Sequence, residues 1–254
     1  MAGSDLLATE RSDSTTLVLR IQREHKRNAI DHDLTVAIED AIDQLEQDPG
    51  LRAGIITGTA RIFSAGTDIN DPRPKATARG GEYGVIRRHR IKPLIAAVEG
   101  LALGGGFEIV LACELVVAAT DAAFGLPEGR IGRIATSGGL FRAPRALPRA
   151  VAAELLLTGG RLDAQRAHAL GLVNRLAEPG TAVDVARDLA RELAHCSPAS
   201  VTATLDVLAA VDASGEEIGW SATEAARGRV MASEDAAEGT RAFNEKRAPR
   251  WTGR

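Results

Sequence analysis

Residues 93–119 read PLIAAVEGLALGGGFEIVLACELVVAA, and the order of events along that stretch decides the fold. Pro93 to Val98 is a short apolar run of strand length, expected as a buried strand, and Leu115 to Ala119 is a second. Between them Phe107 to Cys113, FEIVLAC, is too apolar on every side for a helix that meets water, so it belongs at the centre of the fold. Directly ahead stand Gly104, Gly105 and Gly106, poor residues for the interior of either a helix or a strand. A turn needs one or two glycines. A third implies that another atom approaches bare backbone, at a helix start where the amides have no intrahelical partners.

The flanks extend this pattern. Thr16 to Ile21 (TLVLRI) and Ala53 to Thr57 (AGIIT) read as strands. Between them Leu34, Ile38, Ala41, Ile42 and Leu45 recur at helical spacing behind a possible Asp31 cap, and Pro49 with Gly50 closes the helix. The prolines, glycines and small or charged residues from Asp71 to Gly84 predict a mobile surface loop able to cover a ligand. Past residue 150, RAVAAELLLTG, DAQRAHALGLV, VDVARDLARELA, PASVTATLDVLAAV and the segments near 220 and 234 carry helical periodicity. The fold class is therefore α/β, a mixed core followed by a helical C-terminal region.

Composition narrows the function. The chain has 254 residues, 44% hydrophobic and 26% charged, enough for a substantial core. Aromatics are 3%, so stacking platforms for single-stranded nucleic acid are poorly supplied, and 31 Lys plus Arg against 34 Asp plus Glu leave no basic excess for duplex binding. No nucleic-acid partner is expected. Cys113 and Cys196 lie far apart beside apolar or helical patterns and read as reduced core residues. No basic-then-apolar leader is seen and no apolar run reaches the about 20 residues of a membrane span, so a soluble, cytoplasmic protein without a membrane partner is expected. The usual dinucleotide, P-loop and serine-hydrolase motifs are missing, and the five histidines show no ligand spacing, so no metal is expected.

Two carboxylates stand out. Glu108 sits in the first turn of the apolar helix, where burial would raise its pKa toward that of a working acid or base. Glu128 lies in AFGLPEGRIG, behind Pro127 and between Gly125 and Gly129, as suits a side chain presented from a short loop after a strand. Each also has a plain reading, as a helix-start glutamate favoured by the dipole and as a solvated loop residue. The glycine run and a second corner of small residues, FSAGTD at Phe63 to Asp68, favour the chemical reading. Two bare amides converging on one carbonyl oxygen form an oxyanion hole, each donor worth on the order of 3 kcal/mol.

Taken together, IFSAGTDI (62–69), KPLIAAVEGLALGGGFEIVLACEL (92–115), AFGLPEGRIG (123–132), Ser137-Gly138-Gly139 and LLLTGGRLDAQRAHALGLVNRL (155–176) resemble, in order and spacing, the crotonase (enoyl-CoA hydratase/isomerase) superfamily. The tail SEDAAEGTRAFNEKRAPRWTGR, with GGGFE and LPE, is most similar to its carnitinyl-CoA dehydratase (crotonobetainyl-CoA hydratase) branch. The resemblance implies a crotonase-like spiral of repeated strand-strand-helix units over 1–195, and a helical oligomerisation region over 196–254 that builds a homotrimer or a hexamer of two trimers. It implies an acyl-CoA thioester substrate whose carbonyl is held by the amides of Ala65 and Gly105. Glu108 would act as base toward water and Glu128 as proton donor at Cα, two coupled carboxyls able to share protons. No metal or redox cofactor is implied, since coenzyme A enters as part of the substrate.

The matching CoA positions are Lys26 and Ala29 in HKRNAI, Ser64, Gly66, Thr67, Asp68 and Ile69 at the strand end, and Gly104. Lys26 and Lys246 would meet CoA phosphates or stay solvated. The chain departs from the family at Ala135, where a proline is common, at Arg133, where an apolar residue is usual, and in REHKRNAI, which lacks an early Arg-Pro. Arg133 and Ala135 fall in the segment that shapes the acyl pocket. Arg133 there would suit an anionic acyl group better than a trimethylammonium one, or it points to solvent. Isomerisation of a 3-enoyl-CoA, relying chiefly on Glu128, and a non-catalytic acyl-CoA-binding role are the alternatives to hydration.

Overall fold

The structure is a computed structural model that describes residues 5–253. It opens with β1 (Leu7–Arg11), β2 (Thr16–Ile21), α1 (His32–Gln47) and β3 (Ala53–Thr57). Asp31 caps α1 by accepting the Leu34 amide at 2.9 Å, and the predicted stripe Leu34, Ile38, Ala41, Ile42 and Leu45 is buried. Next come β4 (Ile62–Ser64), a small hairpin of β5 (Ala76–Thr77) and β6 (Gly81–Glu82), then β7 (Leu94–Val98), β8 (Leu101–Leu103), α2 (Gly105–Val110), β9 (Leu115–Ala119) and β10 (Ala123–Gly125). The rest of the chain is α3 (Gly139–Ala146), α4 (Arg149–Thr158), β11 (Arg161–Asp163), α5 (Ala164–Ala169), β12 (Arg175–Ala177), α6 (Ala182–Ala194), α7 (Pro198–Met231) and α8 (Glu234–Glu245).

The strands form a six-stranded sheet in the order β1-β2-β3-β7-β9-β12 and a four-stranded sheet in the order β11-β10-β8-β4. β3, β7 and β9 lie in the larger sheet, and each is followed closely by a strand of the smaller one, β4, β8 and β10. This alternation is the spiral repeat. β3 and β7 are buried at every position, because parallel strands covered on both faces have no water-facing side. Helix α2 is buried along its whole length, with the Phe107 ring 5.3 Å from that of Phe124 on β10. Strands β4, β8 and β10 have three residues each, too few for alternation to register in the sequence.

Two expectations change. The segment 71–84 is not a free loop; it is fastened to α1. Arg73 donates to both Asp33 oxygens at 2.8 and 2.9 Å, the His32 amide donates to Asp71 at 2.9 Å, and the Gly80 amide donates to Glu39 at 2.8 Å. The separate helical segments read near 198–211 and 220 are one 34-residue helix, α7, which continues through Gly215 and Gly219. These glycines admit α3: a methyl at 219 would lie 2.5 Å from the Phe141 ring, and one at 215 would strike the Arg145 guanidinium. Phe141 meets Trp220 edge-on at 5.0 Å, and Arg142 grips Glu216 with two bonds of 2.7 and 2.9 Å.

Candidate active site

The corner after β4 is fixed by a buried asparagine. Asn28, in left-handed backbone at φ 53°, donates through its amide nitrogen to the carbonyls of Ile62 and Phe63 at 2.8 and 3.2 Å. Its own carbonyl accepts the Ser64 hydroxyl at 2.7 Å. Arg23 braces the far side by bridging Asp31 at 3.0 Å and Asp68 at 2.8 Å, and it also donates to the Ala29 carbonyl at 2.9 Å. HKRNAI and SAGTDI are thereby tied into one unit.

Amide accounting along this corner changes one expectation. The Ala65 amide donates to the Arg27 carbonyl at 3.0 Å, so it is spent inside the fold and is not the open donor that the resemblance implied. The Gly66 amide donates to Ser64 Oγ at 3.1 Å and the Asp68 amide to the Ile30 carbonyl at 2.8 Å. Of these four consecutive amides only that of Thr67 has no partner among the described residues. Gly66 sits at φ 92°, and a methyl there would come within 2.8 Å of both the Gly105 nitrogen and the Leu103 carbonyl oxygen. The corner therefore presses directly on the glycine run.

On that run, the Gly104 amide donates to the Gly125 carbonyl at 2.9 Å, which leaves Gly105 as the first open amide of α2. Gly106 packs against Ser64, where a methyl would lie 2.6 Å from the carbonyl oxygen. Glu108, one turn on, is 2% exposed. Its Oε1 accepts the Ser137 amide at 2.7 Å and the Gly139 amide at 3.0 Å. The Ser137-Gly138-Gly139 turn thus orients the carboxyl from outside its own helix.

Glu128 approaches from the other side, in the first turn of a short 3₁₀ helix (Pro127–Ile131) that forms the short connection after β10. A methyl on Gly104 would lie 3.0 Å from Glu128 Oε1. Glu128 Oε2 is shielded from solvent and has no hydrogen-bond partner among the described residues. Burial pushes Glu128 up to about 7. Burial, reinforced by the Glu128 charge, pushes Glu108 up to about 8 against its two amide donors. Two such neighbours release their protons in steps that belong to the pair.

Tyr83, the only tyrosine of the chain, is a site residue that sequence reasoning misses. It is buried at the end of the 71–84 segment, with its hydroxyl 2.7 Å from Thr67 Oγ1 and in hydrogen-bonding reach of Ser137. A methyl on Gly105 would strike that hydroxyl. Burial and the adjacent Glu108 charge raise the phenol's pKa and keep it protonated. The signal available in the sequence was a lone aromatic in an otherwise small and charged stretch.

A cavity of about 660 Å³ opens from this cluster, with Thr67, Tyr83 and Ser137 at its inner end and Arg133 in its wall. Ala135 is buried beneath Gly139 and does not line it. Ile69 is half-buried at the strand end, while Lys26 and Lys246 are exposed and stand outside that cavity. No helix among the described residues is long and apolar enough to cross a membrane.

The sequence model of enoyl-CoA hydratase/isomerase matches residues 11–254. Carnitinyl-CoA dehydratase of Proteus mirabilis is 38% identical over 240 residues, spanning 90% of this chain and 92% of that protein. Among solved structures, a carnitinyl-CoA hydratase from Mycobacterium avium superposes with TM-score 0.93 at 38% identity, covering 99% of this chain and 100% of its own. An enoyl-CoA hydratase from Mycobacterium tuberculosis H37Rv gives TM-score 0.77 at 42% identity over 99% of this chain and 100% of its own.

Proposed function

The chain belongs to the enoyl-CoA hydratase/isomerase family, and from that premise we propose that it adds water reversibly to a 2-enoyl-CoA thioester, or removes it from a 3-hydroxyacyl-CoA. The observation that carries this reading is the pairing of two buried carboxyls of raised pKa with the open amides of Thr67 and Gly105. Those amides receive the thioester oxygen. As negative charge develops there, Cβ becomes electrophilic and Cα basic, and each donor lowers the barrier by on the order of 3 kcal/mol.

Near neutral pH the pair holds about one proton, which is the state hydration needs. The coupled pair shares that proton, and the microstate that reacts has Glu108 ionised and held by the Ser137 and Gly139 amides, so that it takes a proton from water as the water oxygen bonds to Cβ. In the same microstate Glu128, whose Oε2 has no hydrogen-bond partner among the described residues, carries the proton and delivers it to Cα. Dehydration runs the same steps backward. The reading requires no metal or redox cofactor, because acid, base and oxyanion donors all come from the chain and coenzyme A arrives with the substrate.

The test is loss of enoyl-thioester absorbance with crotonyl-CoA. Wild type is expected to turn over, and Glu108→Gln and Glu128→Gln are each expected to fall at least about 10³-fold. Full activity in both variants would refute the assignment. The homotrimer or hexamer reading is supported by Val207, Leu208, Val211 and Ile218, which stand 56–73% exposed on α7. Light scattering on the eluted peak measures it. A cytoplasmic location completes the proposal, and fractionation of cells producing the protein checks it.

A further inference from the structure

Beyond Tyr83 the cavity reaches a wall that neither the carboxyl pair nor the open amides use. Three guanidinium groups line it, from Arg87, Arg133 and Arg227. Arg87 bonds both oxygens of Glu82 at 2.8 and 2.9 Å, and Arg227 pairs with Glu224 at 3.0 Å. Arg133 differs from both. Among the described residues it has no carboxylate partner, and its guanidinium makes a single long bond, to Thr240 Oγ1 at 3.4 Å. Most of its five N–H donors therefore remain available.

Arg133 is also firmly placed. Its amide donates to the Glu128 carbonyl at 3.0 Å, closing the 3₁₀ turn that presents Glu128, with Gly132 at φ 67° as the bend between them. The same turn thus carries an acid/base carboxyl and, five residues on, an unpaired cation in the cavity wall.

The aromatic surface of that wall points the same way. A quaternary ammonium group is held by bare aromatic faces. Here the Trp220 face is already covered by Arg87, whose guanidinium carbon lies 3.7 Å from the ring centroid. A trimethylammonium end would meet a cation on the indole and a second cation at Arg133, whereas a carboxylate end would meet a planar fork of donors.

We infer that the preferred acyl group of this enzyme ends in a carboxylate, which Arg133 anchors while the enoyl thioester lies between Glu108 and Glu128. The inference rests on the hydratase reading above and adds a substrate class to it. It separates this chain from what the names of its carnitinyl-CoA relatives describe, in the charge at the far end of the acyl chain.

Three CoA thioesters that differ only beyond C4 test it: crotonyl-CoA, 4-carboxybut-2-enoyl-CoA and 4-trimethylammoniobut-2-enoyl-CoA, each followed by product mass and initial rate. The carboxylated thioester is expected to exceed the trimethylammonium one at least tenfold in kcat/KM, and to exceed crotonyl-CoA. In Arg133→Met the ratio of carboxylated to crotonyl kcat/KM is expected to fall at least tenfold, and Arg133→Lys to retain part of it. Circular dichroism of both variants establishes that they fold. Equal or greater turnover of the trimethylammonium or neutral thioester, or a ratio unmoved by Arg133→Met, overturns the inference while leaving the hydratase reading intact. No turnover of any of the three overturns both.

Discussion

Replacing Glu108 by glutamine should stabilise the protein, and the gain should grow with pH. The unfolded side chain titrates near 4.5, whereas burial and the Glu128 charge hold the folded one up at about 8. Between those values the unfolded chain binds fewer protons than the folded one, so wild-type stability falls as pH rises across the window. The glutamine side chain mimics the protonated acid, with its carbonyl oxygen able to accept the Ser137 and Gly139 amides. At about 1.4 kcal/mol per pKa unit, ionisation of Glu108 costs on the order of 2–4 kcal/mol at pH 8 and under about 1 kcal/mol at pH 5. For a chain of this size that is a Tm rise on the order of 5–10 °C at pH 8, shrinking to a few degrees or less at pH 5. Melts of both proteins from pH 5 to 9, at one protein concentration and ionic strength, measure the difference. A difference independent of pH, or largest at pH 5, would refute the reasoning.

The coupled pair should also shape catalysis: kcat/KM against pH is expected to form a narrow bell with limbs near 7 and 8, and Glu128→Gln to lose the bell and lower the pKa remaining at Glu108, as read from pH–rate profiles. Gly66→Ala should lower kcat at least about 100-fold, because a methyl at φ 92° would wedge the Thr67 corner from Gly105; rates and a melt distinguish a displaced corner from a lost fold. Asn28→Ala strips the β4 corner of its side-chain donors and should cost about 2–3 kcal/mol in denaturant unfolding. Tyr83→Phe removes the hydroxyl contact with Thr67 and should lower stability by about 1–2 kcal/mol while reducing kcat more than it changes KM.

Much of this was legible where the local chemistry is strong. The α1 stripe and its Asp31 cap, the all-apolar β7 and the buried α2 follow from periodicity and run length. Glu108 and Glu128 stand out in the sequence because glycines and a proline flank them, and it is the agreement of the two glycine corners that favours the chemical reading. What escaped depends on contacts distant in sequence. The sequence placed the second donor at Ala65, and only the Arg27 carbonyl that takes the Ala65 amide moves it to Thr67. Tyr83 gains its place from the bonds that tie its segment to α1, which no window of sequence contains. The continuity of α7 through Gly215 and Gly219 escaped because the α3 surface that these glycines receive lies about 75 residues earlier in the chain.

That α3–α7 junction gives the outermost helix a mechanical hold on the carboxyl pair. Gly139, whose amide grips Glu108, is the first residue of α3, and Phe141 and Arg142 of the same helix are clasped by Gly219, Trp220 and Glu216 of α7. A shift of α7 along its axis would drag the start of α3, stretch the Gly139 bond and alter how readily Glu108 gives up its proton. A surface substitution such as Glu216→Ala, which touches no substrate, is thereby equivalent to a small turn of the acidity dial, and any neighbour that seats against the exposed apolar stripe of α7 has its hand on the same control.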